Sequence, residues 1–376
     1  MKRICHVTSA HPPEDGRIFR RACVAASRAG FETFLVQRGN TYIKNNIQII
    51  GLGIPKRTGR LYRISIFAKL AYEKALSVDA DLYHLHDPEL LPYALKLKKR
   101  GKAVVFDCHE DYVEQIKSKP YLPSFIAKLA SKFYDIYSRR IFAVIDGLTY
   151  AGNGESPSSF DNLCKRVVPT DNLPWLDELY EKYCPETPKE KNTACYIGGL
   201  DKVRGITQII KACYNAHCTL YLAGCFHSDI YKKQVMAMKE FSCVKYLGVI
   251  DRERVIELLQ KVEIGLCTLL DVGQYYKMLN LPTKVYEYMS MGIPVIINDS
   301  PYNERIIRKF EFGYCVNPND LDSFSKLLQC LHKNASLREQ LGNNGRLAIK
   351  EHYSWDKAQE KLIDMYKSIL NEQDVI

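Results

Sequence analysis

The stretch Leu281-Pro-Thr-Lys-Val-Tyr-Glu-Tyr-Met-Ser-Met-Gly-Ile-Pro-Val-Ile-Ile-Asn298 combines the signals of a loop, a helix, a turn and a strand within eighteen residues. Pro282 suits the first turn of a helix, and Gly292 suits its end because glycine adopts the left-handed conformation there at little cost. Pro294 then precedes the apolar run 295–297, which has the composition of a buried strand. The stretch therefore predicts a helix–strand unit of an α/β domain.

Lys284 and Glu287 are the charged residues of this predicted helix. At positions i and i+3 they share a face near the helix N-terminus, where open backbone N–H groups and a partial positive charge favour phosphate. One interpretation is a surface ion pair worth about 0.3–0.5 kcal/mol. The other is a nucleotide-sugar site, in which Lys284 and the amides bind a diphosphate and Glu287 binds sugar hydroxyls. The spacing alone leaves both interpretations open.

The motif Pro-x-Lys-x-x-Glu-Tyr-Met-x-x-Gly-x-Pro-Val in this stretch resembles the nucleotide-sugar signature of glycosyltransferase family 4, whose members are retaining enzymes with the GT-B fold. The resemblance implies that Glu287 holds the ribose hydroxyls of the donor and that Lys284 has a catalytic role at its diphosphate. The family commonly has a further acid at the position of Leu279, so the sequence does not identify the transferred sugar. The resemblance also implies donor contacts for the three residues before Lys284, which are Leu281, Pro282 and Thr283.

The chain has 376 residues, which is too long for one ordinary core and suits two domains. We predict an acceptor-side domain at 1–172, a linker rich in proline and charge at 173–192, a nucleotide-sugar domain at 193–353, and a C-terminal helix and tail at 354–376. No apolar run reaches the roughly 20 residues of a membrane span, and the N-terminus does not resemble a signal peptide. The 13 cysteines include no Cys-x-x-Cys pair, so we expect a cytoplasmic protein.

The net charge of +10 lies entirely in the first half of the chain, because residues 1–175 carry +10 and residues 176–376 carry none. Such asymmetry indicates an anionic partner: nucleic acid, an acidic small molecule or an anionic membrane. The basic residues are interleaved with acids and no nucleic-acid-binding module is recognisable, so we expect no nucleic acid partner.

A helix predicted at 124–142 combines apolar residues at helical spacing with Lys128, Lys132, Arg139 and Arg140. Such a helix is typical of one that lies on an anionic membrane. It is equally typical of a helix whose apolar side is core and whose charged side faces solvent.

Apolar strands and amphipathic helices alternate along both predicted domains. The predicted strands lie at 2–9, 31–37, 47–52, 81–85, 103–107 and 147–149, and then at 194–197, 219–223, 244–247, 264–267, 295–297 and 314–316. This alternation predicts two doubly wound parallel sheets, in which ligands bind beyond the carboxyl ends of the strands. The resemblance implies two Rossmann-like domains of a GT-B fold facing a cleft, with the C-terminal helix crossing back to the first domain.

The first strand is followed by His11-Pro-Pro-Glu-Asp-Gly-Arg-Ile-Phe19. Asp15 can cap the next helix, and Gly16 allows the backbone to approach a ligand closely, whereas Arg17 is either a surface charge or a ligand contact. The phrase resembles the opening of a bacterial polysaccharide-assembly branch of the same family. This resemblance implies that Gly16 and Arg17 lie beside the donor phosphates.

The fourth strand ends in His84-Leu-His-Asp-Pro-Glu89. These residue types allow either a metal site or a site for an acceptor. His84 belongs to the strand and two histidines at i and i+2 are weak evidence for a metal, so we expect none. The phrase resembles His-x-His-Asp-Pro-Glu-Leu-Leu of the family, and we assign His86 and Asp87 to the acceptor.

The fifth strand is followed by Asp107-Cys-His-Glu-Asp-Tyr112. A lone histidine is usually structural, but one directly past a strand end has the placement expected for chemistry, since flanking carboxylates raise its pKa and orient it. The phrase resembles Asp-x-His-Glu-Asp of the family, whose histidine contacts the transferred sugar. We therefore predict a catalytic role for His109 and acceptor contacts for Glu110 and Asp111.

The second domain opens with a strand and the turn Gly198-Gly-Leu-Asp-Lys-Val-Arg-Gly205. The turn leads into a helix as a phosphate loop does, yet it lacks the Gly-x-Gly-x-x-Gly spacing of nicotinamide sites and the Lys-Ser/Thr of a P-loop. The family usually has an arginine just after the glycine and a lysine about five residues on, places that Gly199 and Arg204 take here. The resemblance implies that Arg204 has a catalytic role at the diphosphate together with Lys284. It implies further donor contacts for Gly198, Gly199, Lys202, Gly224 and Val249.

These patterns predict a retaining glycosyltransferase that moves a sugar from a nucleoside-diphosphate donor to a hydroxyl acceptor, with no metal or other cofactor. We expect the acceptor to be a lipid-linked or growing surface-polysaccharide glycan, and the enzyme to lie in the cytoplasm or on the inner face of the cell membrane. Two alternatives stay open. One is a catalytically inactive GT-B binding protein, which Leu279 favours, and the other is a dinucleotide-dependent enzyme, which the missing glycine fingerprint opposes.

Overall fold

The computed structural model describes residues 1–54, 62–109, 111–117, 123–152, 158–272 and 280–373. The chain divides into two compact units, Met1–Asn172 together with Ala358–Ile376, and Leu173–Lys357. The C-terminal helix Trp355–Gln373 begins in the second unit and continues in the first. Two residues named above, Glu110 and Leu279, lie outside the described ranges.

Within the described residues, the first unit contains an eight-stranded sheet. Its strands are β1 (Arg3–Val7), β2 (Glu32–Gln37), β3 (Tyr42–Lys44), β4 (Ile47–Gly51), β5 (Leu82–Leu85), β6 (Ala103–Cys108), β7 (Gly147–Tyr150) and β8 (Val167–Pro169). They lie in the order β3-β4-β2-β1-β5-β6-β7-β8. The order reverses between β1 and β5, so the carboxyl ends of these strands are where a ligand crevice is expected.

Helices separate the strands of the first unit. They are α1 (Val24–Arg28), α2 (Ala68–Leu76), α3 (Leu91–Lys98), α4 (Tyr112–Lys117) and α5 (Ser124–Phe142), and turns of π-helix at Ile18–Cys23 and Arg63–Phe67 lead into α1 and α2. Every residue of β6 is buried, as expected for a parallel strand covered on both faces.

In its described part, the second unit contains a six-stranded parallel sheet in the order β11-β10-β9-β12-β13-β14. The strands are β9 (Thr193–Ile197), β10 (Thr219–Ala223), β11 (Val244–Gly248), β12 (Ile264–Cys267), β13 (Val295–Asn298) and β14 (Gly313–Val316). The helices are α6 (Ile206–Asn215), α7 (Asp229–Met236), α8 (Arg252–Lys261), α9 (Thr283–Ser290), α10 (Pro301–Phe310), α11 (Leu321–Lys333), α12 (Ala335–His352) and the start of α13 (Trp355–Gln373).

The prediction of two doubly wound sheets is confirmed, and the first sheet has two short edge strands, β3 and β8, that the sequence does not predict. Strand β3 pairs with β4 in the antiparallel direction. Asn45 and Asn46 join the two strands with φ of 51° and 59°, the left-handed conformation of a tight hairpin turn, which asparagine tolerates. A strand of three residues carries too little alternation to be recognised from sequence.

Helix α5 has the predicted bounds, but its packing differs from the core interpretation of its apolar side. The inward side chains include the small residues Ala127, Ser131 and Ser138. Ile141 and Phe142 at the end of the helix are buried, but five large apolar side chains are exposed: Phe125 by 77%, Ile126 by 50%, Leu129 by 61%, Phe133 by 73% and Ile136 by 45%. The core interpretation is therefore wrong for these five residues. Among the described residues, no helix is both long enough and apolar enough to span a membrane.

Candidate active site

Asp107, near the carboxyl end of β6, is the centre of a buried polar cluster in the first unit. Arg17 donates to it twice, from Nε to Oδ2 at 2.9 Å and from Nη2 to Oδ1 at 2.6 Å. Thr149 of β7 donates to Oδ1 at 2.8 Å. Burial alone would raise the pKa of Asp107, but Arg17 and His109 hold it well below its usual range. The carboxylate is therefore a fixed negative charge that orients its neighbours.

His109 directly follows β6. Its Nε2 lies 2.9 Å from Oδ2 of Asp107, although it makes no well-aligned hydrogen bond among the described residues, and its side chain is 12% exposed. The ring of His11 lies against it, with the two centroids 4.5 Å apart. One edge of His109 thus faces a buried carboxylate while part of the ring stays open to solvent, an arrangement that can direct an imidazole toward a ligand.

His86, predicted to contact the acceptor, is completely buried at the end of β5. Its Nδ1 lies 3.1 Å from Oδ2 of Asp107, and its Nε2 lies 3.1 Å from Nδ1 of His6. Burial lowers the pKa of His86 to about 3, so the ring is neutral near pH 7. His86 therefore links two buried side chains and does not face solvent.

Asp87, the second predicted acceptor contact, is also buried and joins the loop after β1 to the end of β5. Its Oδ2 accepts hydrogen bonds from Oγ1 of Thr8 at 2.8 Å and from the N–H of Ser9 at 2.5 Å. Its Oδ1 lies 2.8 Å from Nδ1 of His11. Burial opposes protonation of His11, but Asp87 outweighs it and raises the pKa of that ring. The partly exposed polar group at this strand end is therefore His11.

Arg17 and Gly16, predicted to lie beside donor phosphates, have partners within the first unit. The guanidinium of Arg17 is 9% exposed. Besides Asp107, it binds the carbonyl and the hydroxyl oxygen of Thr170. The carbonyl of Gly16 accepts a hydrogen bond from Nη1 of Arg21 at 2.5 Å. Arg17 is thus the counter-charge of Asp107.

Asp111, a predicted acceptor contact, caps helix α4. Its Oδ1 accepts the N–H groups of Val113 at 3.0 Å and Glu114 at 3.2 Å. It also borders a cavity of about 220 Å³ in the first unit. The cavity is lined by aromatic and polar side chains that include Tyr112, Tyr134, Arg139 and Ser159. Such a mixture suits a small polar ligand.

Two glycine turns meet beyond the carboxyl ends of β9 and β10 in the second unit. Gly198 has φ of 139° and Gly224 has φ of 141°, and a Cβ on Gly224 would lie 1.7 Å from the carbonyl oxygen of Gly198. Only glycine permits so close an approach of two backbones. A Cβ on Gly198 would lie 2.9 Å from Nζ of Lys284, so the first turn also lies against this ammonium group.

Lys284 lies in the first turn of α9 and is buried. Its Nζ lies 3.9 Å from the ring centroid of Tyr196, a cation–π contact. The N-cap position is Pro282, and no described side chain caps the helix. The helix start therefore offers backbone N–H groups and one ammonium group beside the glycine turns, which suits an anion.

Arg204 lies beside Gly199, with its Nε 3.4 Å from the place of a Cβ on that glycine. Asp201 accepts hydrogen bonds from the N–H of Arg204 at 2.9 Å and from its Nε at 3.1 Å. Nδ1 of His227 lies 3.2 Å from the same carboxylate, and the His227 side chain is 56% exposed. Asp201 thus holds an arginine and a histidine at the edge of the turn.

Glu287 lies one turn beyond Lys284 on α9, with its side chain 15% exposed. Its Oε1 accepts a hydrogen bond from Nη1 of Arg252, the first residue of α8, at 2.6 Å. Nη2 of Arg252 lies 3.9 Å from Glu178. Among the described residues, the ion-pair partner of Glu287 is therefore Arg252, and the simple Lys284–Glu287 surface pair is not formed.

The other predicted donor residues differ in exposure. Leu281 is 2% exposed, and Thr283 is the first residue of α9. Val249 is 77% exposed just beyond β11, and Lys202 is exposed in the turn after β9. The second unit thus brings together one group of predicted residues around the start of α9: Gly198, Gly199, Arg204, Gly224 and Lys284.

Two groups of described residues have ligand atoms within 4.8 Å of one another: His6, His84 and His86, and His86, Asp107 and His109. His86 uses both ring nitrogens in contacts with His6 and Asp107. Both oxygens of Asp107 already bind the guanidinium of Arg17. These contacts favour a buried hydrogen-bond network over a metal site.

Residues 182–348 match the family described as glycosyl transferases group 1. The match includes the turn at Gly198 and the helix that carries Lys284 and Glu287. This region, less than half of the chain, is therefore similar to group 1 glycosyltransferases. The curated relatives of the chain include two uncharacterized glycosyltransferases of Methanocaldococcus jannaschii, MJ1069 and MJ1607. The first is 23% identical over 201 residues, 51% of this chain and 49% of the relative. The second is 21% identical over 221 residues, 57% of this chain and 52% of the relative, so the matches span about half of each relative.

Solved structures resemble the chain over nearly its whole length. Sucrose-phosphate synthase from Thermosynechococcus elongatus has a TM-score of 0.75 at 14% identity and covers 99% of this chain and 100% of its own. A glycosyltransferase from Rickettsia africae has a TM-score of 0.70 at 15% identity, with 98% of both chains covered. Anabaena HepE in complex with UDP and glucose has a TM-score of 0.69 at 11% identity, covering 98% and 100%. At these identities the likeness shows the fold, which is GT-B as predicted.

Several residues of the candidate site carry no recognisable signal in the sequence. His11 lies in the segment directly after the first strand, but nothing local in the sequence indicates that Asp87 would bind it. His227 follows Gly224 by three residues, so a search of every strand end would have found it. Arg252 follows the turn after β11 and meets Glu287 only through the fold. Contacts between distant segments carry no sequence signal in a single chain.

Proposed function

We propose that this protein transfers a sugar from a nucleoside-diphosphate donor to a hydroxyl acceptor, with retention of configuration. The observation that carries the proposal is the combination of Lys284, Arg204 and the uncapped start of α9 at the glycine turns. A diphosphate requires concentrated positive charge and close approach to backbone N–H groups, and this strand edge offers both. Because Anabaena HepE is complexed with UDP and glucose, UDP sugars are the first donors to test.

In the proposed reaction, the acceptor hydroxyl attacks the anomeric carbon from the face that the diphosphate leaves. The bond from that carbon to the diphosphate oxygen breaks as the new bond forms, and the leaving oxygen takes the hydroxyl proton. Lys284, Arg204 and the amides of α9 stabilise the charge on the diphosphate, so no protein base is required. By the family resemblance, His109 contacts the transferred sugar and Glu287 the ribose. Asp107 would then position the ring of His109.

On the acceptor side, we assign direct contact to Asp111 and the cavity beside it, together with Glu110. His86 and Asp87 are buried and bonded to other side chains, so we assign them an indirect part. Asp87 holds His11, and His86 supports Asp107. In the same way, Arg17 contributes to the site through Asp107 and not through a donor phosphate.

We further propose that the acceptor is lipid-linked and is reached at an anionic membrane surface. Helix α5 exposes the large apolar side chains Phe125, Leu129 and Phe133, and Lys128 and Lys132 beside them are exposed as well. An exposed apolar stripe bordered by lysines is the composition of a helix that lies in a membrane interface. The positive charge of the first half of the chain supports the same partner.

Replacing Glu287 by alanine tests the donor site. A thermal-shift screen of nucleoside diphosphates first identifies the nucleotide that binds, with UDP as the starting probe. Glu287→Ala should weaken that nucleotide at least about tenfold in calorimetry, because charge-assisted hydrogen bonds are worth about 1.5–3 kcal/mol. The melting temperature should change little, since the side chain pairs with a partly exposed arginine.

The control for this experiment is Glu304→Ala, which removes an exposed acid from the first turn of another helix, α10. It should leave nucleotide affinity unchanged. Equal affinity of the parent and Glu287→Ala would contradict the assignment of Glu287. No stabilisation by any nucleoside diphosphate would contradict the proposed function.

A further inference from the structure

His227 is an exposed histidine at the glycine turns of the second unit, and the sugar transfer proposed above does not use it. The segment that carries it runs beside the first turn, because Leu200 and Phe226 form a parallel bridge. The N–H of Leu200 donates to the carbonyl of Cys225 at 2.9 Å, and the N–H of His227 donates to that of Leu200 at 3.2 Å. Leu200 and Phe226 are both buried, so the backbone of His227 is anchored against the first turn.

The imidazole ring of His227 lies over Gly199. A Cβ on that glycine would lie 2.8 Å from both Cε1 and Nε2 of the ring, so the ring fills the place that a side chain at this position would take. Nε of Arg204 lies 3.4 Å from the same point, and Nζ of Lys284 lies 2.9 Å from the place of a Cβ on Gly198. A ligand that approaches the two glycines therefore meets three basic side chains.

Asp201 orients the imidazole. Its Oδ2 lies 3.2 Å from Nδ1 of His227 and 3.1 Å from Nε of Arg204. Because Nδ1 faces a carboxylate, we assign the proton of the neutral ring to Nδ1, which leaves Nε2 on the side of Gly199 as an acceptor. Phosphate oxygens are acceptors too. Nε2 can therefore bind a phosphate oxygen only when the ring is protonated.

The charges at the glycine turns favour that protonation when a diphosphate binds. Lys284 and Arg204 are positive and Asp201 is negative, so with a neutral imidazole this group carries one net positive charge. Asp229 and Lys232 of α7 follow the histidine in the chain and have opposite charges. The diphosphate of a nucleotide sugar is negative on both phosphates, and a nearby negative charge favours the protonated form of an imidazole. Histidine is the side chain that changes its charge most readily near neutral pH.

We propose that His227 binds the diphosphate of the donor through its protonated ring, so that donor binding takes up a proton. Asp201 positions the ring, and the proton on Nε2 is donated to a phosphate oxygen. This role rests on the proposed function, because it adds a residue to the same donor site. The imidazolium would also stabilise the charge that the leaving diphosphate gains in the transfer. Since the bound state holds more protons than the free protein, affinity for the donor should fall as the pH rises.

Calorimetry of the full-length protein tests the proton uptake. UDP-glucose, GDP-mannose, ADP-glucose and dTDP-glucose are screened, and the one that binds most tightly is titrated at pH 7.5 in two buffers of different ionisation enthalpy. The dependence of the heat on the buffer measures the protons taken up. The diphosphate of these sugars does not titrate near this pH, so the uptake belongs to the protein. The parent should take up part of a proton, and its affinity should fall at least about threefold between pH 6.5 and 8.5.

Three variants identify the group that takes up the proton. His227→Gln keeps a polar side chain but cannot become charged, so it should weaken the donor about tenfold at pH 6.5 and remove most of the uptake. His227→Arg supplies a charge at every pH, so at pH 8.5 it should bind the donor more tightly than His227→Gln, without uptake. The control is His352→Gln, which changes an exposed histidine of α12 and should keep the affinity and the uptake of the parent.

The possible failures are distinguishable. Uptake in His227→Gln equal to that of the parent would overturn the role of His227, even if the affinity fell, and would leave the proposed function intact because the donor still binds. Donor binding by the parent with no proton uptake would overturn it as well, a result that does not depend on any variant. If none of the four nucleotide sugars bound the parent, the proposed function itself would be contradicted.

Discussion

His109 is the residue of the first unit to which the proposed chemistry assigns a sugar contact. His109→Ala should lower turnover at least about tenfold, because the loss of one oriented contact in the transition state costs over about 1.4 kcal/mol. The melting temperature should change little, since Asp107 keeps Arg17 and Thr149 as partners. Steady-state kinetics and thermal unfolding of the same preparation check this. The exposed His352→Ala serves as the control, and a fully active His109→Ala would give His109 a structural role.

Three histidines of the first unit, His6, His84 and His86, are buried in the neutral form. Burial lowers the pKa of each below its usual value, to about 3 for His86. In the unfolded chain the three histidines take up protons below about pH 6.5. The unfolded state then binds more protons than the folded state, so the free energy of unfolding decreases as the pH is lowered. At about 1.4 kcal/mol per proton and pH unit, the three histidines remove roughly 4 kcal/mol between pH 7.5 and 5.5.

Urea unfolding at a series of pH values measures this slope. His6→Gln should reduce the slope of the free energy of unfolding against pH by the contribution of about one proton. This holds whatever the variant does to stability at pH 7.5. His217→Asn replaces an exposed histidine that has a positive φ, which asparagine tolerates, and should leave the slope unchanged. A slope in His6→Gln equal to that of the parent would show that His6 is not buried as a neutral ring.

Helix α13 is bonded to the polar cluster of the first unit through one hydroxyl. The Tyr366 hydroxyl lies 2.6 Å from Nδ1 of His84, and Nε2 of His84 lies 3.4 Å from Oγ1 of Thr149, which donates to Asp107. Tyr366→Phe keeps the ring but leaves a buried ring nitrogen without its partner. We expect the free energy of unfolding to fall by about 1–3 kcal/mol.

Tyr134→Phe is the matched control for this change. The Tyr134 hydroxyl is buried in the same unit and has no hydrogen-bond partner among the described residues. Its removal should not lower the free energy of unfolding, because a buried hydroxyl without a partner is itself destabilising. If the two variants had equal stability, the bond to His84 would contribute nothing to the stability of the first unit.

Elements with strong local signals could be predicted from the sequence. The bounds of α5, β10 and β12 follow from apolar periodicity and agree with the structure. The face that α5 buries could not be predicted, because the same periodicity fits either side and the neighbouring elements select the small residues. The positions of Lys284 and Gly198 at strand ends follow from the alternation of strands and helices.

The partners of the site residues were beyond sequence reasoning. Glu287 binds Arg252, which lies 35 positions earlier in the chain. Asp87 binds the backbone of the loop after β1, which lies nearly 80 positions earlier. Neither contact has a local pattern, since each depends on where two elements lie in the fold. Asp87 was therefore assigned to an acceptor, although the structure uses its oxygens within the protein.

The charge of the whole molecule is unevenly distributed, since residues 1–175 carry the entire +10. A net charge of this size attracts anionic surfaces over a distance limited by salt, with a Debye length of about 8 Å at physiological ionic strength. Charge alone would bind the molecule in many orientations. The exposed apolar stripe of α5 favours one orientation of the protein on the membrane, because this face can enter the membrane interface.

We therefore expect the protein to sediment with anionic vesicles but not with neutral ones, and to be released by high salt. Each basic residue near the surface is worth about 1 kcal/mol, so reversing four of them should abolish binding. The test variant replaces with glutamate the basic residues of α5, Lys128, Lys132, Arg139 and Arg140. The control makes the same change of charge elsewhere in the first unit, at Lys74, Lys96, Lys99 and Arg100, and should retain most of the binding. Equal losses in both variants would mean that net charge and not α5 binds the membrane, and binding that is indifferent to lipid charge would contradict an anionic surface altogether.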